Sequence, residues 1–278
     1  MPIPGRLGVC SWSLRADGPG ELAARAAACG VEGVQLALGP VRAGAWGIAD
    51  LRDALDAEGL RLLSGMTSPV GEDYSTLASI EATGGFRPDA TWNENRRLVA
   101  GDARAAAELG LELVTLHAGF LPEDPGPERS RLLDRLRTVA ATYAEHGLLL
   151  GLETGQESAA TLIEVLDELD APNVRVNFDP ANMLLYDRDE PLAALEALLP
   201  RVAQIHVKDA VRTEQPGTWG REVPVGSGQV NWKRFASLVR QARFTGDLVV
   251  EREAGDARVA DVRTALATLE AAFAACEA

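Results

Sequence analysis

Eight apolar segments alternate with eight segments of helical periodicity along nearly the whole chain. The apolar segments predict strands at residues 7–12, 31–38, 60–66, 111–117, 148–153, 174–179, 202–208 and 248–251. The segments of helical periodicity occupy residues 20–29, 48–58, 90–109, 128–146, 158–169, 191–199, 231–242 and 257–274. Unbroken strand–helix alternation predicts a parallel sheet covered by helices, and eight strands close into a barrel. Because no composition break divides residues 1–278, we expect an α/β fold with a single (β/α)8 TIM barrel domain.

The predicted strand at residues 202–208 alternates polar and apolar side chains. Gln204, His206 and Lys208 share one face because successive side chains of a strand point to opposite sides. Four other strands end in or next to an acid or a histidine, and these residues are His117, Glu153, Asp179 and Glu251. In a TIM barrel the C-terminal strand ends meet at the active site. We therefore expect the three acids and His206 to face the interior at the barrel mouth.

Three carboxylates in one buried mouth predict a bound cation. Unpaired, they would repel one another, and each buried anion without a partner costs several kcal/mol. A divalent ion would remove this conflict. An oxygen-rich donor set with one imidazole suits Mn²⁺, Mg²⁺ or Co²⁺, and a catalytic Zn²⁺ is an alternative. The other interpretation is a set of structural ion pairs among interior residues, which would include Arg175 and Asn177 lower in the barrel.

Several motifs resemble those of a known family. They are CSWSL at 10–14, GLET at 151–154, NFDPAN at 177–182, IHVKDA at 205–210, GSGQVNW at 226–232 and VVERE at 249–253. The chain resembles the xylose isomerase-like TIM barrels. More narrowly, it resembles the sugar phosphate isomerase/epimerase group, which includes ketose 3-epimerases, hydroxypyruvate isomerases and inosose dehydratases. The resemblance spans nearly all of the chain and is stronger for the fold and metal site than for the substrate.

The resemblance implies roles for the residues at the barrel mouth. In epimerases of this group a Glu-Asp-His-Glu quartet binds Mn²⁺ or a similar ion, and its two glutamates also move protons. By motif the quartet is Glu153, Asp179, His206 and Glu251. One glutamate would remove a proton beside a carbonyl, the metal would stabilise the enediolate, and the other glutamate would return a proton. Arg212, six residues beyond His206, resembles a family arginine that contacts substrate oxygens.

Further residues are candidates for substrate binding. His117 and Lys208 lie at strand ends on the interior face, where we expect them to line the site. Trp12 is expected to form either an apolar wall for a sugar ring or part of the core. Asn182 stands where the ketose epimerases of the group have a histidine, which puts the sugar handling of those enzymes in question here. The acidic insertion GEDYSTLASIEATGGF at 71–86 matches no specific family activity.

Composition limits the binding partners and the cellular compartment that we expect. The net charge of −14 argues against binding nucleic acid or an anionic membrane by bulk electrostatics. The three cysteines do not form a disulfide framework, and the chain shows neither a cleavable leader nor a run of about 18 apolar residues. We therefore expect a cytoplasmic protein. A small-molecule carbohydrate is the expected partner, and a homo-oligomer stays open.

These observations predict a divalent-metal-dependent isomerase or epimerase of a small sugar or sugar derivative. A dehydratase or lyase acting on a keto-sugar or inosose is the enzymatic alternative, since the same enolate can expel a β-substituent. An endonuclease IV-like phosphodiesterase is disfavoured because it needs more histidine ligands than the three histidines of this chain supply. A non-catalytic sugar-binding barrel is the alternative from another class, and binding alone does not require two glutamates at a metal.

Overall fold

Eight parallel strands close into a barrel in the computed structural model, which describes residues 3–276. Including two strands outside the barrel, the described residues form ten strands, which are β1 (Leu7–Cys10), β2 (Gly33–Ala37), β3 (Arg61–Met66), β4 (Leu113–Leu116), β5 (Leu149–Glu153), β6 (Val174–Phe178), β7 (Val202–Val207), β8 (Asp209–Val211), β9 (Arg221–Val223) and β10 (Asp247–Val250). The order around the barrel is β1, β10, β7, β6, β5, β4, β3 and β2, which pairs again with β1. Strands β8 and β9 form a separate antiparallel pair. The predicted fold class, a (β/α)8 TIM barrel, is confirmed.

Helices connect the strands and cover the outside of the barrel. They are α1 (Pro19–Cys29), α2 (Gly39–Arg42), α3 (Ile48–Ala57), α4 (Leu77–Thr83), α5 (Asp89–Leu109), α6 (Pro127–Ala144), α7 (Ala159–Leu169), α8 (Pro180–Leu185), α9 (Pro191–Leu198), α10 (Trp232–Gln241) and α11 (Arg258–Ala275). The sequence pattern does not predict α2, α4, α8 or the β8–β9 hairpin, because such short elements show too little periodicity to be recognised. Between residues 3 and 276, no helix has both the length and the apolar character needed to cross a membrane.

The two faces of the barrel strands differ as the alternation predicts. Leu152, Phe178 and Val207 belong to the main hydrophobic core, which they share with the inner faces of the surrounding helices. The expected interior position of Arg175 is wrong. It lies near the start of β6, is exposed, and donates to backbone oxygens next to it, because its long side chain leaves the barrel at the lower end.

The barrel interior also contains a small apolar cluster. Cys10, Leu63 and Val249 pack together inside it, with Trp12 against them. Gly33 leaves the space that Leu63 fills, because a Cβ on this glycine would lie 2.7 Å from Leu63 Cδ2. This cluster adjoins the predicted site, because Cys10 Sγ lies 3.8 Å from His206 Nε2 and the indole of Trp12 donates to Glu251.

A layer of hydrogen-bonded polar side chains lies inside the barrel beside this cluster. Ser64 Oγ donates to Gln204 Oε1 at 2.6 Å, and Gln204 Nε2 donates to Asn177 Oδ1 at 3.1 Å. Gln35 Nε2 donates to Thr115 Oγ1 at 2.8 Å. All five side chains are fully buried or nearly so, and such groups are stable in a core only when they are paired. This layer supports the residues at the mouth.

The carboxylate of Asp209 organises the rim after β7. It accepts hydrogen bonds from the backbone amides of Gly226, Gly228 and Val230 and from the indole of Trp232, at 2.9 to 3.1 Å. Gly228 is required at its position because a Cβ there would lie 2.1 Å from Asp209 Oδ1. The GSGQVNW motif therefore wraps around a side chain of the same protein, and its amides are occupied.

The connection at residues 67–89 folds onto the rim and is ordered by hydrogen bonds. Thr76 caps α4 in a reciprocal capping box with Ser79. Glu72 Oε1 accepts from the backbone amide of Gly85 at 2.9 Å, and Asn95 Oδ1 accepts from the amide of Val70 at 2.7 Å. The insertion thus has its own helix and brings Glu72 to the mouth of the barrel.

Candidate active site

Three acids and a histidine converge at the C-terminal mouth of the barrel. Glu153 ends β5, Asp179 and Glu251 directly follow β6 and β10, and His206 lies in β7. Nδ1 of His206 lies 3.3 Å from Glu153 Oε1, 3.5 Å from Glu251 Oε2 and 3.9 Å from Asp179 Oδ2. One ligand atom from each residue lies within 4.8 Å of all the others, and the four residues are buried. This arrangement can hold a divalent ion.

The backbone fixes Asp179 with one oxygen turned to the site. Asp179 is the N-cap of α8, and its Oδ1 accepts from the backbone amides of Ala181 and Asn182 at 2.7 and 3.1 Å. The other oxygen, Oδ2, is buried and has no hydrogen-bond partner among residues 3–276. A buried carboxylate oxygen without a partner is costly, and a bound cation would satisfy it. The fit to a metal therefore rests on an observed orphan atom as well as on the residue types.

His206 is oriented by an amide behind it. Its Nε2 lies 2.7 Å from Oε1 of Gln35, and an amide oxygen can only accept a hydrogen bond. This contact is a hydrogen bond when Nε2 carries a hydrogen, and Nδ1 is the nitrogen that faces the carboxylates. Once the ring is neutral, Nδ1 presents its lone pair to the centre of the quartet.

The pKa values of the three quartet acids are shifted in different directions. Burial and the nearby acids raise the pKa of Asp179 well above its ordinary value, although Lys208 opposes this. Burial alone would also raise the pKa of Glu251. Lys208 and His206 outweigh burial and hold the pKa of Glu251 well below its ordinary value. The imidazoles of His117 and His206 likewise outweigh burial at Glu153, whose pKa is lowered. Without an ion, Asp179 is therefore the acid that most readily holds a proton.

Glu251 has a partner on each oxygen. The indole Nε1 of Trp12 donates to Oε1 at 2.7 Å, and Lys208 Nζ donates to Oε2 at 2.8 Å. Lys208 also donates to Glu253 Oε2 at 2.8 Å and lies 3.8 Å from Asp179 Oδ2. These contacts fix the position of Glu251 and place a buried ammonium beside it.

Glu153 is held by neutral donors. Asn182 Nδ2 donates to Oε1 at 3.1 Å, and Asn177 Nδ2 donates to Oε2 at 3.2 Å. His117 Nε2 lies 3.5 Å from Oε1. The Nδ1 atom of His117 is buried without a hydrogen-bond partner in the described chain, so this nitrogen can form one further hydrogen bond. The two glutamates of the quartet thus sit in different environments.

A cavity of about 510 Å³ opens above the quartet. Five residues that the sequence predicts for the site line it, and these are Trp12, His117, Asn182, Lys208 and Glu251. Its aromatic walls are Trp12, Tyr74, Tyr186 and Trp219. The volume is that of a small-molecule site.

Of the five residues predicted to bind substrate, one does not line this cavity. Arg212 is not among the lining residues and instead pairs with Asp187 and with the backbone oxygen of Asp189. Two acids that the sequence analysis missed, Glu72 and Glu253, line the cavity. Glu253 could have been found, because it follows Glu251 at the same strand parity. No pattern in the insertion at 71–86 distinguishes Glu72 from its acidic neighbours.

Several known proteins are similar to this chain. A xylose isomerase domain protein from Planctomyces limnophilus has 29% sequence identity and a TM-score of 0.86, with 98% of each chain covered. The 3-keto-D-glucoside 4-epimerase of Escherichia coli has the same fold at 18% identity and a TM-score of 0.71, with 96% of this chain and 99% of that chain covered. An inosose dehydratase from Bacillus thuringiensis is 28% identical over 130 residues.

The curated relatives match over only part of their length. The alignment with the inosose dehydratase covers 45% of this chain and 40% of that protein. The chain thus spans less than half the length of the curated relatives it matches. The family model described as "Xylose isomerase-like TIM barrel" matches residues 23–272, which is most of the 278 residues. The chain therefore belongs to the xylose isomerase-like TIM barrel family.

Proposed function

We propose that this protein is a divalent-metal-dependent isomerase or epimerase that acts on a small sugar or sugar derivative through an enediolate. The observation that carries the proposal is the pair of buried glutamates on either side of His206. Glu153 and Glu251 both approach Nδ1 of this ring, at 3.3 and 3.5 Å, yet they have different hydrogen-bond partners. Two carboxylates with distinct environments can take opposite parts in proton transfer.

The metal would be held by Glu153, Asp179, His206 and Glu251. Three oxygen donors and one imidazole favour Mn²⁺, with Mg²⁺, Co²⁺ or Zn²⁺ as alternatives. When bound, a divalent ion polarises a substrate carbonyl and stabilises negative charge that develops on its oxygen. The unpartnered Oδ2 of Asp179 and the inward-facing Nδ1 of His206 support this assignment.

The two glutamates divide the proton transfers in this proposal. Glu153 removes the proton beside the carbonyl, because amides donate its hydrogen bonds and it can accept a proton without displacing an ammonium contact. Glu251 returns a proton to the same carbon or its neighbour. Solvent resupplies that proton, because the carboxylates beside Lys208 raise the pKa of its ammonium well above the ordinary value. Trp12, His117 and Asn182 would orient the sugar, and Arg212 would have to leave Asp187 to take part.

Gln35→Leu is expected to weaken divalent-ion binding by about 10- to 100-fold, the usual effect of removing a hydrogen-bond partner of a metal-binding histidine. Without the Gln35 oxygen, His206 loses its nearest hydrogen-bond partner at Nε2, the contact at 2.7 Å that favours the ring orientation in which Nδ1 faces the acids. Titration of Mn²⁺ against a competing chelator measures the change. Ser64→Ala is the matched control, because Ser64 bonds Gln204 in the same polar layer. Equal affinity in the Gln35 variant and wild type would remove this support from the metal assignment.

A dehydratase or lyase is the second candidate. The observation that favours it is Lys208, a buried ammonium that lines the cavity within reach of Glu251 and Glu253. A positioned ammonium can protonate a leaving hydroxyl once the enolate has formed. The similarity to an inosose dehydratase agrees with this route, although it covers under half of each chain.

Turnover in D₂O separates the two candidates. The Mn²⁺-loaded protein is incubated with free ketoses, ketose phosphates, inososes and 3-keto-glycosides, and each product is read for deuterium content and mass. An isomerase or epimerase is expected to give products of unchanged formula that carry one deuterium at the reacting carbon. Products that have lost water or an aglycone would establish the lyase and overturn the first proposal.

Two variants assign the proton transfers. Glu153→Gln is expected to abolish both turnover and wash-out of the substrate proton. Glu251→Gln is expected to abolish turnover while Glu153 still exchanges the substrate proton with solvent. Absence of both turnover and exchange in the wild-type protein with every metal would instead favour a sugar-binding barrel.

A further inference from the structure

The side chains that line the active-site cavity carry more negative than positive charge. Three of them are carboxylates, and these are Glu72, Glu251 and Glu253. Lys208 is the one lysine or arginine among the described lining residues. It is buried and donates to both Glu251 and Glu253. The ammonium at the cavity is therefore already paired within the chain.

Glu72 adds a carboxylate that is held by neutral groups. Its Oε1 accepts from the backbone amide of Gly85 at 2.9 Å, and its Oε2 accepts from the hydroxyl of Tyr74 at 3.2 Å. Glu72 forms no ion pair with a lysine or arginine between residues 3 and 276. A glutamate of the insertion at 71–86 therefore brings an uncompensated negative charge to the mouth of the barrel.

The charge of Glu72 acts on the cavity. Glu72 and its hydrogen-bond partner Tyr74 both line this space. Burial raises the pKa of Glu72, whereas His117 and the two hydrogen-bond donors favour its ionised form. Burial and, to a smaller extent, the charge of Glu72 raise the pKa of Tyr186. Because His117 and Tyr186 also line the cavity, a ligand there is exposed to the same charge.

Two clusters of backbone amides at this rim are occupied by carboxylates of the chain itself. Asp179 accepts from the amides of residues 181 and 182, and Asp209 accepts from those of residues 226, 228 and 230. Clusters of backbone amides are otherwise common binding sites for anions. Arg212 does not line the cavity and is held in an ion pair. None of these groups is free to bind a phosphate or carboxylate group.

We propose that the active site takes sugars that carry no phosphate or carboxylate group, and that Glu72 is the specificity-determining residue that excludes anionic sugars. The inference rests on the proposed function, because it names the substrate class of the same site. An anionic group would be desolvated among three carboxylates without a free cation to compensate it. A hydroxyl group in its place can donate hydrogen bonds to these carboxylates. The proposed divalent ion does not reverse the balance, because the three carboxylates of the quartet exceed its charge.

Matched pairs of sugars test the selection by charge. The full chain, loaded with Mg²⁺ and with free Mg²⁺ held constant, is labelled with ¹³C at its methionine methyls. Met66 lines the cavity, and its signal is assigned from Met66→Leu. Fructose, ribulose and glucose are each titrated beside their terminal phosphates at pH 7. We expect the free sugars that shift Met66 to bind at least about tenfold more tightly than their phosphates.

Glu72→Gln is expected to strengthen binding of the sugar phosphates by about tenfold and to leave the affinity for the free sugars within about threefold. Glutamine keeps an oxygen for the amide of Gly85 and removes only the charge. Loss of packing would weaken both members of a pair alike, so the ratio of the two affinities reports on charge rather than on structure. Glu72→Leu gives the same comparison if the glutamine variant does not fold.

Asp73→Asn is the matched control. Asp73 is the next residue of the same insertion, is exposed and is not among the residues that line the cavity. Its substitution removes the same unit of charge from the protein as Glu72→Gln does. The ratio of affinities for free and phosphorylated sugars is expected to stay at the wild-type value.

Three results would overturn the proposal. The first is equal or tighter binding of the phosphates by the wild-type protein. The second is a ratio that Glu72→Gln leaves unchanged, or that Asp73→Asn changes to the same extent. The third is the absence of a saturable Met66 shift with every free sugar. Failure of the proposed function has a different signature, since free sugars would then bind in preference to their phosphates without turnover or proton exchange in D₂O.

Discussion

Asp179→Asn is expected to abolish binding of a divalent ion and, in the absence of metal, to make the protein more stable. Asparagine is a good N-cap, so its Oδ1 still accepts from the amides that begin α8. Its Nδ2 replaces an unpartnered carboxylate oxygen with a donor that faces the remaining acids. We expect a gain of about 1–3 kcal/mol in the free energy of unfolding, the usual cost of a buried polar group without a partner.

Thermal unfolding with and without Mn²⁺ measures both effects. Wild-type protein should gain stability on adding the ion, because a ligand that binds only the folded state stabilises it. The variant should be more stable than wild type in EDTA and should not respond to Mn²⁺. Asp102→Asn is the matched control, since Asp102 is equally buried but pairs with Arg42 and Thr67. That variant should lose stability and keep its response to Mn²⁺, and the reverse pattern would contradict the assignment.

Lys208→Met is expected to lower the free energy of unfolding of the metal-free protein by about 3–5 kcal/mol. Lys208 is 2% exposed and is the ammonium beside Glu251, Glu253 and Asp179. Its removal leaves buried carboxylates uncompensated, while methionine retains most of the side-chain volume. Urea unfolding in EDTA gives the value.

A double-substitution cycle tests whether the loss comes from the charges. Glu251→Gln in the Lys208→Met background should recover part of the stability, because it removes the closest uncompensated acid. Arg212→Met is the control for loss of a cation, since its ion pair with Asp187 is about one-third exposed. That variant should change stability by less than about 1 kcal/mol. A similar loss in both single variants would show that burial at Lys208 is unimportant.

The barrel and its quartet could be predicted because they depend on strand parity. An acid or histidine at the end of an apolar strand must face either the barrel interior or the helices, and the alternation in 202–208 identifies the interior. This reasoning predicts the convergence of Glu153, Asp179, His206 and Glu251, and the structure brings them together. It also predicts Lys208 on the same face, where it bonds Glu251.

Features that depend on loops could not be predicted in this way. Glu72 reaches the cavity because Gly85 and the α4 cap fold the insertion at 71–86 back onto the rim. The contact between Arg212 and Asp187 joins two separate loops. Neither has a periodic pattern, since loop conformation is set by individual hydrogen bonds rather than by repetition along the chain. The orientation of His206 by Gln35 likewise requires knowing which strands adjoin across the barrel.

Lys208 and Asp209 are consecutive in the chain but point to different parts of the molecule. Lys208 holds Glu251 inside the barrel, whereas Asp209 anchors the backbone at 226–230 outside it. The β8–β9 hairpin, which begins at Asp209, carries Trp219 in its loop, and Trp219 lines the cavity mouth. Both ends of this hairpin are fixed by Asp209 and the β8–β9 pairing, so its tip can change in length and sequence during evolution without moving the quartet. Substitutions at this tip are therefore expected to reshape the cavity mouth and to leave the four quartet residues in place.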